Sequence, residues 1–239
     1  MVWILCNLIK SIKKTFFMKN IVLTAIALFG TQFAFAQTER NVGDFNSLKV
    51  YDKIPVELVA SNKNLVEVDG VNAADVQVEN NNGELKIKLS GTKLMQGDGA
   101  TVKVFYKNLY DIQASQGSKI FSDDEVESQA LNLTSNEGSS IKLPVDTKKL
   151  DVKINSGGEV ILTGKTESQT VVANSGGKYY SKTLKAEYST LTTNAGGFIE
   201  ATSTSSVDAK TRAGGTIDIY GNPKQRNQKK VAGGRINFK

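Results

Sequence analysis

The chain has 239 residues, with 30 Lys and Arg against 24 Asp and Glu, one Cys and no His. The absence of histidine excludes His-dependent catalytic triads and His-metal sites, and a single cysteine excludes an internal disulfide framework. Four of the basic residues and none of the acids precede Gln37. Residues 37–239 are therefore close to neutral, which argues against a large nucleic-acid-binding surface.

The N-terminal residues have the pattern of a secretory signal peptide. From Met18 the chain reads as a basic residue, Lys19, then an apolar run, then Ala34-Phe35-Ala36. The run is too short for a good transmembrane helix, and an A-x-A motif is a typical cleavage site. We expect residues 1–36 to be a signal peptide, with Met18 as the true start and Gln37 as the first mature residue. A two-part leader and a buried N-terminal helix are the alternatives.

This interpretation predicts an exported protein that is periplasmic, outer-membrane-associated or extracellular. It would not span a membrane after cleavage. Cys6 precedes the apolar run and is therefore not placed as the lipid-modified cysteine that follows a signal peptide.

Residues 42–112 consist of short alternating β segments. Asn82-Gly83 is a hairpin-type turn signal ahead of Leu85-Lys86-Ile87-Lys88-Leu89. We expect this part to form a small sheet or irregular coils that close one end of a larger β structure, because an open core and exposed strand edges promote aggregation.

Residues 113–239 repeat a glycine corner at nearly equal intervals. The first glycines of seven corners are 21, 19, 19, 20, 18 and 19 residues apart, with short alternating β segments between them. The corner glycines are Gly117, Gly138, Gly157, Gly158, Gly176, Gly177, Gly196, Gly197, Gly214, Gly215, Gly233 and Gly234. A period near 20 residues indicates a solenoid, and the Leu-x-Leu-x-x-Asn box of leucine-rich repeats is missing. The pattern predicts an all-β protein, a parallel β-helix with coils of about 20 residues.

The corners also predict how the backbone turns. Glycine reaches a positive φ without a Cβ clash, so a valine at Gly177 is expected to destabilise the fold. A valine at Gly164, interpreted as an exposed, unstacked glycine, is expected to cost less unless that turn also needs a positive φ. Two residues before the first glycine stand Asn136, Asn155, Asn174 and Asn194. Stacked asparagines form amide ladders, which would end where Arg212 and Val231 replace them. The alternative is that each asparagine serves only its own turn.

Three segments resemble those of a known family. They are Phe45-x-x-Leu48-x-Val50 with Ile54-Pro55-Val56-Glu57-Leu58, Gly83-x-Leu85-x-Ile87, and Leu109-x-x-Ile112-x-Ala114-x-x-Gly117-Ser118. Over residues 42–235 the chain resembles the putative auto-transporter adhesin, head GIN domain proteins of Bacteroidetes. The resemblance implies one right-handed β-helical domain, export, and an adhesive or surface role. It brings no catalytic residues.

Three further clusters are candidate sites. The acidic run Asp123 to Glu127 is sequential, which favours a solvated loop over a Ca²⁺ or hydrolase site. The basic segment Lys224 to Lys230 fits a charged cap on the last coil, or a contact with acidic glycans or phosphates. Tyr179, Tyr180 and Tyr188 fit core or rim packing, or a small platform for sugars. We predict no catalytic residue, no cofactor and no metal site.

Two functional hypotheses follow. The first is a non-enzymatic solenoid that binds a surface ligand, a glycan or a protein, with homo-oligomerisation left open. The second is a β-helical lyase or hydrolase, and a structural periplasmic protein is a third alternative. The short coils leave little material for the walls of a catalytic cleft, which favours binding.

Overall fold

The computed structural model describes residues 38–91 and 93–239. The predicted signal peptide and its cleavage site lie outside the described residues. Residues Gln37–Lys239 form a compact unit of their own. Among the described residues, no helix is long and apolar enough to cross a membrane.

The described residues are almost entirely strand, with two short 3₁₀ turns at Ala73–Asp75 and Gly97–Gly99. In chain order the strands are β1 (Thr38–Asn41), β2 (Ser47–Val50), β3 (Pro55–Ala60), β4 (Leu65–Gly70), β5 (Val76–Asn81), β6 (Glu84–Leu89), β7 (Ala100–Tyr106), β8 (Asp111–Ala114), β9 (Lys119–Phe121), β10 (Val126–Ser135), β11 (Ser140–Ile154), β12 (Glu159–Asn174), β13 (Lys178–Asn194), β14 (Phe198–Arg212), β15 (Thr216–Tyr220), β16 (Gln225–Val231) and β17 (Arg235–Phe238). All pair into one continuous sheet.

The long strands stack as parallel coils. β10 to β14 pair in chain order, and β14 then pairs with β15 through its first half and with β16 through its second. Inward side chains fall in columns, one of which contains Ile141, Val160, Tyr179, Ile199, Ile217 and Ile236. Burying each aliphatic side chain of such a column stabilises the fold by about 1.5–3 kcal/mol. The predicted solenoid is confirmed, with about seven turns.

The N-terminal strands do not stack in sequence order. β2 and β3 pair with β8 and β9 on one side, and with β6 and β7, which come later in the chain, on the other. Beyond that layer, β5 lies antiparallel to β6, β4 lies antiparallel to β7, and β1 pairs with β4. The reversal of direction ends the parallel stack and covers the apolar core at this end.

Each corner is a tight turn with at least two residues of positive φ. At Asn155–Gly158, Ser156 has φ 51° and Gly157 has φ 74°, and the Gly158 N–H donates to the Asn155 carbonyl at 3.0 Å. Two central residues of positive φ define a type I′ turn. The first glycine of all seven corners has positive φ, and so has the residue before it: Gln116, Glu137, Ser156, Ser175, Ala195, Ala213 and Ala232.

The second glycine serves a different purpose. Gly177 is outside the positive-φ region, but a Cβ there would lie 2.8 Å from the Ile154 carbonyl oxygen of the neighbouring coil. A Cβ on Gly176 would meet nothing within 4 Å. At this corner the first glycine is thus required by its dihedral angle, and the second by close packing of one coil on the next.

The interpretation of Gly164 as exposed and unstacked is wrong, and the exception for a positive φ applies. This glycine has φ 104°, and a Cβ there would lie 2.2 Å from the Val145 carbonyl oxygen. It lies within β12, directly against β11 of the preceding coil, and not at an exposed, unstacked turn. A side chain at this position would be strained twice, by its dihedral angle and by the contact.

The four asparagines form a continuous amide ladder. The side-chain amides of Asn155, Asn174 and Asn194 each donate to the amide oxygen of the asparagine one coil earlier, at 2.8, 2.8 and 2.7 Å. Asn136 opens the ladder and donates to the Ser115 hydroxyl at 3.3 Å. The buried Asn194 Oδ1 has no partner among the described residues, because Arg212 stands at the next position.

Candidate ligand-binding groove

An open groove of about 770 Å³ runs along one face of the solenoid and crosses several successive coils. Its lining residues are Asn108, Tyr110, Glu127, Ser128, Gln129, Asp146, Thr147, Lys148, Lys165, Thr166, Glu167, Lys185, Ala186, Glu187 and Thr204. They recur at the same point of β10 to β14, so the groove is a property of the repeat.

The groove exists because every coil bends at the same place. Along β11 the buried Thr147 is followed by two exposed residues, Lys148 and Lys149, and along β13 the buried Ala186 is followed by Glu187 and Tyr188. Strict alternation would place one of each exposed pair inside. The break in alternation turns the strand, and the bends stack into a concave corner.

The two walls of the groove carry charges in columns. On one wall the aligned positions are Glu127, Asp146, Lys165 and Lys185. On the other wall, directly after the bend, stand Gln129, Lys148, Glu167 and Glu187. The sign changes along each wall and across the bend, so the groove is mixed in charge and close to neutral.

One ion pair fixes the middle of the first wall. Lys165 Nζ lies 2.9 Å from Asp146 Oδ2 on the neighbouring coil. The hydrogen bond to Asp146 and the attraction of that carboxylate raise the pKa of Lys165. By contrast, Lys148 and Lys185 have no carboxylate partner in the described part of the chain, so their ammonium groups are available to a ligand.

The floor of the groove is held by hydroxyl groups. Thr147 and Thr166 are buried at the bend and share a hydrogen bond of 2.9 Å, and Thr166 Oγ1 donates to the Ser168 carbonyl at 3.0 Å. These bonds satisfy the polar atoms that the bend buries and fix the backbone on which the charged walls stand.

Two exposed tyrosines lie near the groove at different coils. Tyr110 lines the groove and is 44% exposed. Tyr188 follows Glu187 and is 53% exposed. Rings with this exposure can stack on a flat ligand face while the hydroxyl stays in water.

Most of the motifs identified in the sequence lie outside the groove lining. Asp123, Asp124 and Glu125 are exposed, and Asp124 accepts a hydrogen bond from the Ala60 N–H at 3.1 Å. In residues 38–91 and 93–239, no group of three Cys, Asp or Glu side chains is placed to hold a metal ion. Asp123, Asp124 and Glu125 thus form a solvated loop that braces the N-terminal coils, whereas Glu127 lies in β10 and lines the groove.

The three tyrosines of one coil separate. Tyr179 is fully buried and its hydroxyl donates to Gln169 Oε1 at 2.9 Å, and burial raises the pKa of this tyrosine. Tyr180 packs against Phe198, with ring centroids 5.5 Å apart. Of these three tyrosines, Tyr188 alone presents an open ring face to a ligand.

The corner glycines and Asn174 lie along a different edge of the coils from the groove, so they shape the scaffold and do not line it. The sequence reasoning missed Asp146, Lys148, Lys165 and Lys185. The sequence does contain a signal for them: charged residues recur every 19 or 20 residues, next to a break in the alternation of polar and apolar residues.

Comparisons with known proteins agree with this architecture. A family model described as putative auto-transporter adhesin, head GIN domain, matches residues 44–223. No curated protein matches the chain.

Several solved structures share the fold. A putative adhesin of Bacteroides fragilis NCTC 9343 is 18% identical, with 85% of this chain and 96% of that chain covered and a TM-score of 0.78. A putative adhesin of Parabacteroides merdae ATCC 43184 is 15% identical, with 85% and 95% covered and a TM-score of 0.67. A putative lipid binding protein of Parabacteroides distasonis ATCC 8503 is 13% identical, with 84% and 96% covered and a TM-score of 0.63.

At these identities the structural likeness shows the fold alone. The family model, however, matches well over half of the chain. The chain therefore belongs to the putative auto-transporter adhesin, head GIN domain family.

Proposed function

We propose that this protein is an exported, adhesin-like binding protein without catalytic activity, and that the groove holds an extended polar ligand, most simply a glycan chain. The observation that carries the proposal is the groove itself, whose walls of charged side chains repeat on successive coils of a rigid stack. Its family and the putative adhesins that share its fold support the adhesin-like role.

The chemistry of the groove favours a glycan. The lining alternates carboxylates, ammonium groups and hydroxyls, which donate to and accept from sugar hydroxyls, and mixed charge gives no strong preference for a polyanion or a polycation. An apolar anchor pocket, the usual centre of a protein–protein interface, is not part of this lining. Exposed Tyr110 and Tyr188 can add stacking contacts.

Catalysis has weaker support. Carboxylates and lysines are the residue types that β-helical lyases and hydrolases use, and the groove contains both. The closest opposite pair, Asp146 and Lys165, is joined in an ion pair across two coils. That pair is engaged in holding the wall together, so neither group is free to act as a positioned acid or base.

The test is a glycan array followed by calorimetry on any hit. The groove variant combines Lys148→Gln and Lys185→Gln, one on each wall. The matched control combines Lys142→Gln and Lys178→Gln, which removes the same charge from exposed positions outside the groove. We expect the groove variant to bind about tenfold or more weakly, since each hydrogen bond to a charged group contributes about 1.5–3 kcal/mol, and the control to bind normally.

Two outcomes would overturn the proposal. If the control and the groove variant bind a glycan equally well, the groove is not the binding site. If mass spectrometry finds the bound glycan shortened after incubation with the wild-type protein, the enzymatic alternative is correct.

A further inference from the structure

The positive charge of the protein is concentrated at one end of the solenoid. Residues 205–239 contain eight Lys and Arg and two acids, whereas residues 38–204 contain 18 Lys and Arg and 22 acids. The last coils are therefore strongly basic, and the rest of the described chain is slightly acidic.

Three of these eight cations, Arg226, Lys229 and Lys230, lie on β16. All seven residues of β16 are exposed, and in the described part of the chain its register is with β14 alone. The partners of Arg226, Gln228 and Lys230 on β14 are the buried Val207, Ala209 and Thr211. The positions of β14 that point into the core are thus matched on β16 by polar and basic residues. These residues lie where the apolar core ends.

Blocking further strand pairing does not by itself account for this charge. Charged side chains on an edge strand block further pairing, but that role does not require all the charges to have one sign. Instead, Lys229 lies directly opposite Lys210 on β14, and like charges in facing positions are destabilising. At this end, Lys239–Asp218 at 2.6 Å is the only ion pair among the described residues. Lys224, Lys229 and Lys230 have no carboxylate partner there.

The end of a solenoid presents a broad terminal edge, whereas a polymer chain is better held by a groove. Val231, 42% exposed, adds an apolar side chain beside Lys229 and Lys230. Unpaired lysines with a neighbouring apolar group match the headgroup region of an anionic lipid layer, where each basic residue adds about 1 kcal/mol of attraction.

We propose that the C-terminal end of the solenoid, built on β16, docks on an anionic lipid surface. Docking through the end would stand the solenoid upright on the envelope and leave the groove, on its side, open to solution. This surface does not share residues with the groove, so its test is independent of the proposed glycan binding.

The experiment is co-sedimentation of residues 37–239, the unit that contains the whole described core, with two kinds of vesicle. One kind is phosphatidylcholine alone, and the other is phosphatidylcholine mixed with phosphatidylglycerol. We expect binding to the anionic vesicles alone, and its loss as NaCl rises from about 50 mM to about 500 mM.

Variants then locate the surface. Replacing both Lys229 and Lys230 by Gln should lower the partition coefficient by about 30-fold. The control with Lys142→Gln and Lys178→Gln carries the same change in net charge and should bind as the wild type does. A thermal melt of each variant checks that the fold is kept.

Equal binding to both vesicle types, or equal losses in the two double variants, would overturn the proposal. Binding of a soluble acidic polysaccharide at β16 without binding to anionic vesicles would also overturn it, and would assign this end to a polyanion instead. The salt dependence of the wild type decides the electrostatic part even if a variant fails to fold.

Discussion

The middle coils of the solenoid, residues 131–212, and its last coils, residues 213–239, use the same corner with different supports. In the middle, the turns before Gly158 and Gly177 are closed by backbone hydrogen bonds of 3.0 and 2.9 Å. The corners at Gly214 and Gly233 are bends without this bond in the described part of the chain.

The two regions also differ in what lies beside the corner. The ladder runs from Asn136 to Asn194 and stops at Arg212. In the last coils the second glycines, Gly215 and Gly234, have φ of 105° and 103°, whereas Gly177 does not lie in that region. The asparagine ladder is thus confined to the middle coils, whereas the corners of the last coils have a third residue of positive φ.

The largest effect among these predictions is expected from a change at a corner where two middle coils are in close contact. Gly177→Val should destabilise the protein by more than about 2 kcal/mol, because its Cβ would lie 2.8 Å from the Ile154 carbonyl oxygen and 2.9 Å from Ile154 Cγ2. Urea denaturation measures the loss.

Two controls separate the causes. Gly176→Ala has open space but φ 75°, so it should cost only the backbone strain of about 1–2 kcal/mol. Gly91→Val meets nothing within 4 Å and has no positive φ, so it should be nearly neutral. Equal small losses for all three variants would show that the coils are not in close contact at the corner.

The second effect concerns the ladder. Asn174→Ala removes the bonds to Asn155 and from Asn194 and leaves both neighbours with an unpaired amide group. We expect a loss of about 2 kcal/mol. Asn227→Ala, on exposed β16 of the last coil, is the control and should change stability by less than about 0.5 kcal/mol. Similar values for the two variants would mean that the asparagines act only in their own turns.

Much of the middle region could be predicted from the sequence, because its information is local and repeated. The interval between first glycines gives the coil length, and the asparagine two residues earlier gives the ladder and its end at Arg212. Each coil repeats the same residues at the same interval, so a wrong assignment in one coil is exposed by comparison with the others.

Other features could not be predicted in this way. The insertion of β2 and β3 between β6–β7 and β8–β9 depends on pairing between distant segments, which periodicity does not report. Gln116 and Glu137 gave no hint of a positive φ, since tertiary stacking rather than their own preference holds it. The groove could not be predicted because Asp146 and Lys165 come together only when their two coils stack.

The third effect is a gain in stability at the boundary between the two regions. Arg212→Asn places an amide one coil beyond Asn194, whose buried Oδ1 has no partner among the described residues. One added hydrogen bond should stabilise the protein by about 1 kcal/mol. Arg212→Ala removes the same charge without supplying a donor and should give no gain. If both variants gain equally, the stabilisation comes from removing Arg212 and not from extending the ladder.

The smallest effect is a pH dependence of the last coil. Burial tends to raise the pKa of Asp218, but the hydrogen bonds from Asn237 and Lys239, at 2.7 and 2.6 Å, outweigh it and hold the pKa below its ordinary value. A carboxyl whose pKa is lowered by folding stabilises the protein above its unfolded pKa of about 3.9, and this contribution is lost as the pH falls through the folded value. Because Lys239 is exposed, we expect the ionised Asp218 to contribute at most about 1 kcal/mol to the free energy of unfolding.

Thermal melts from neutral pH to below about pH 4 should show a steeper loss of stability for the wild type than for Asp218→Asn. Asp208→Asn, an exposed acid of the preceding coil, should retain the wild-type slope. Parallel profiles for the wild type and Asp218→Asn would show that the contacts of Asp218 do not hold the last coil to the stack.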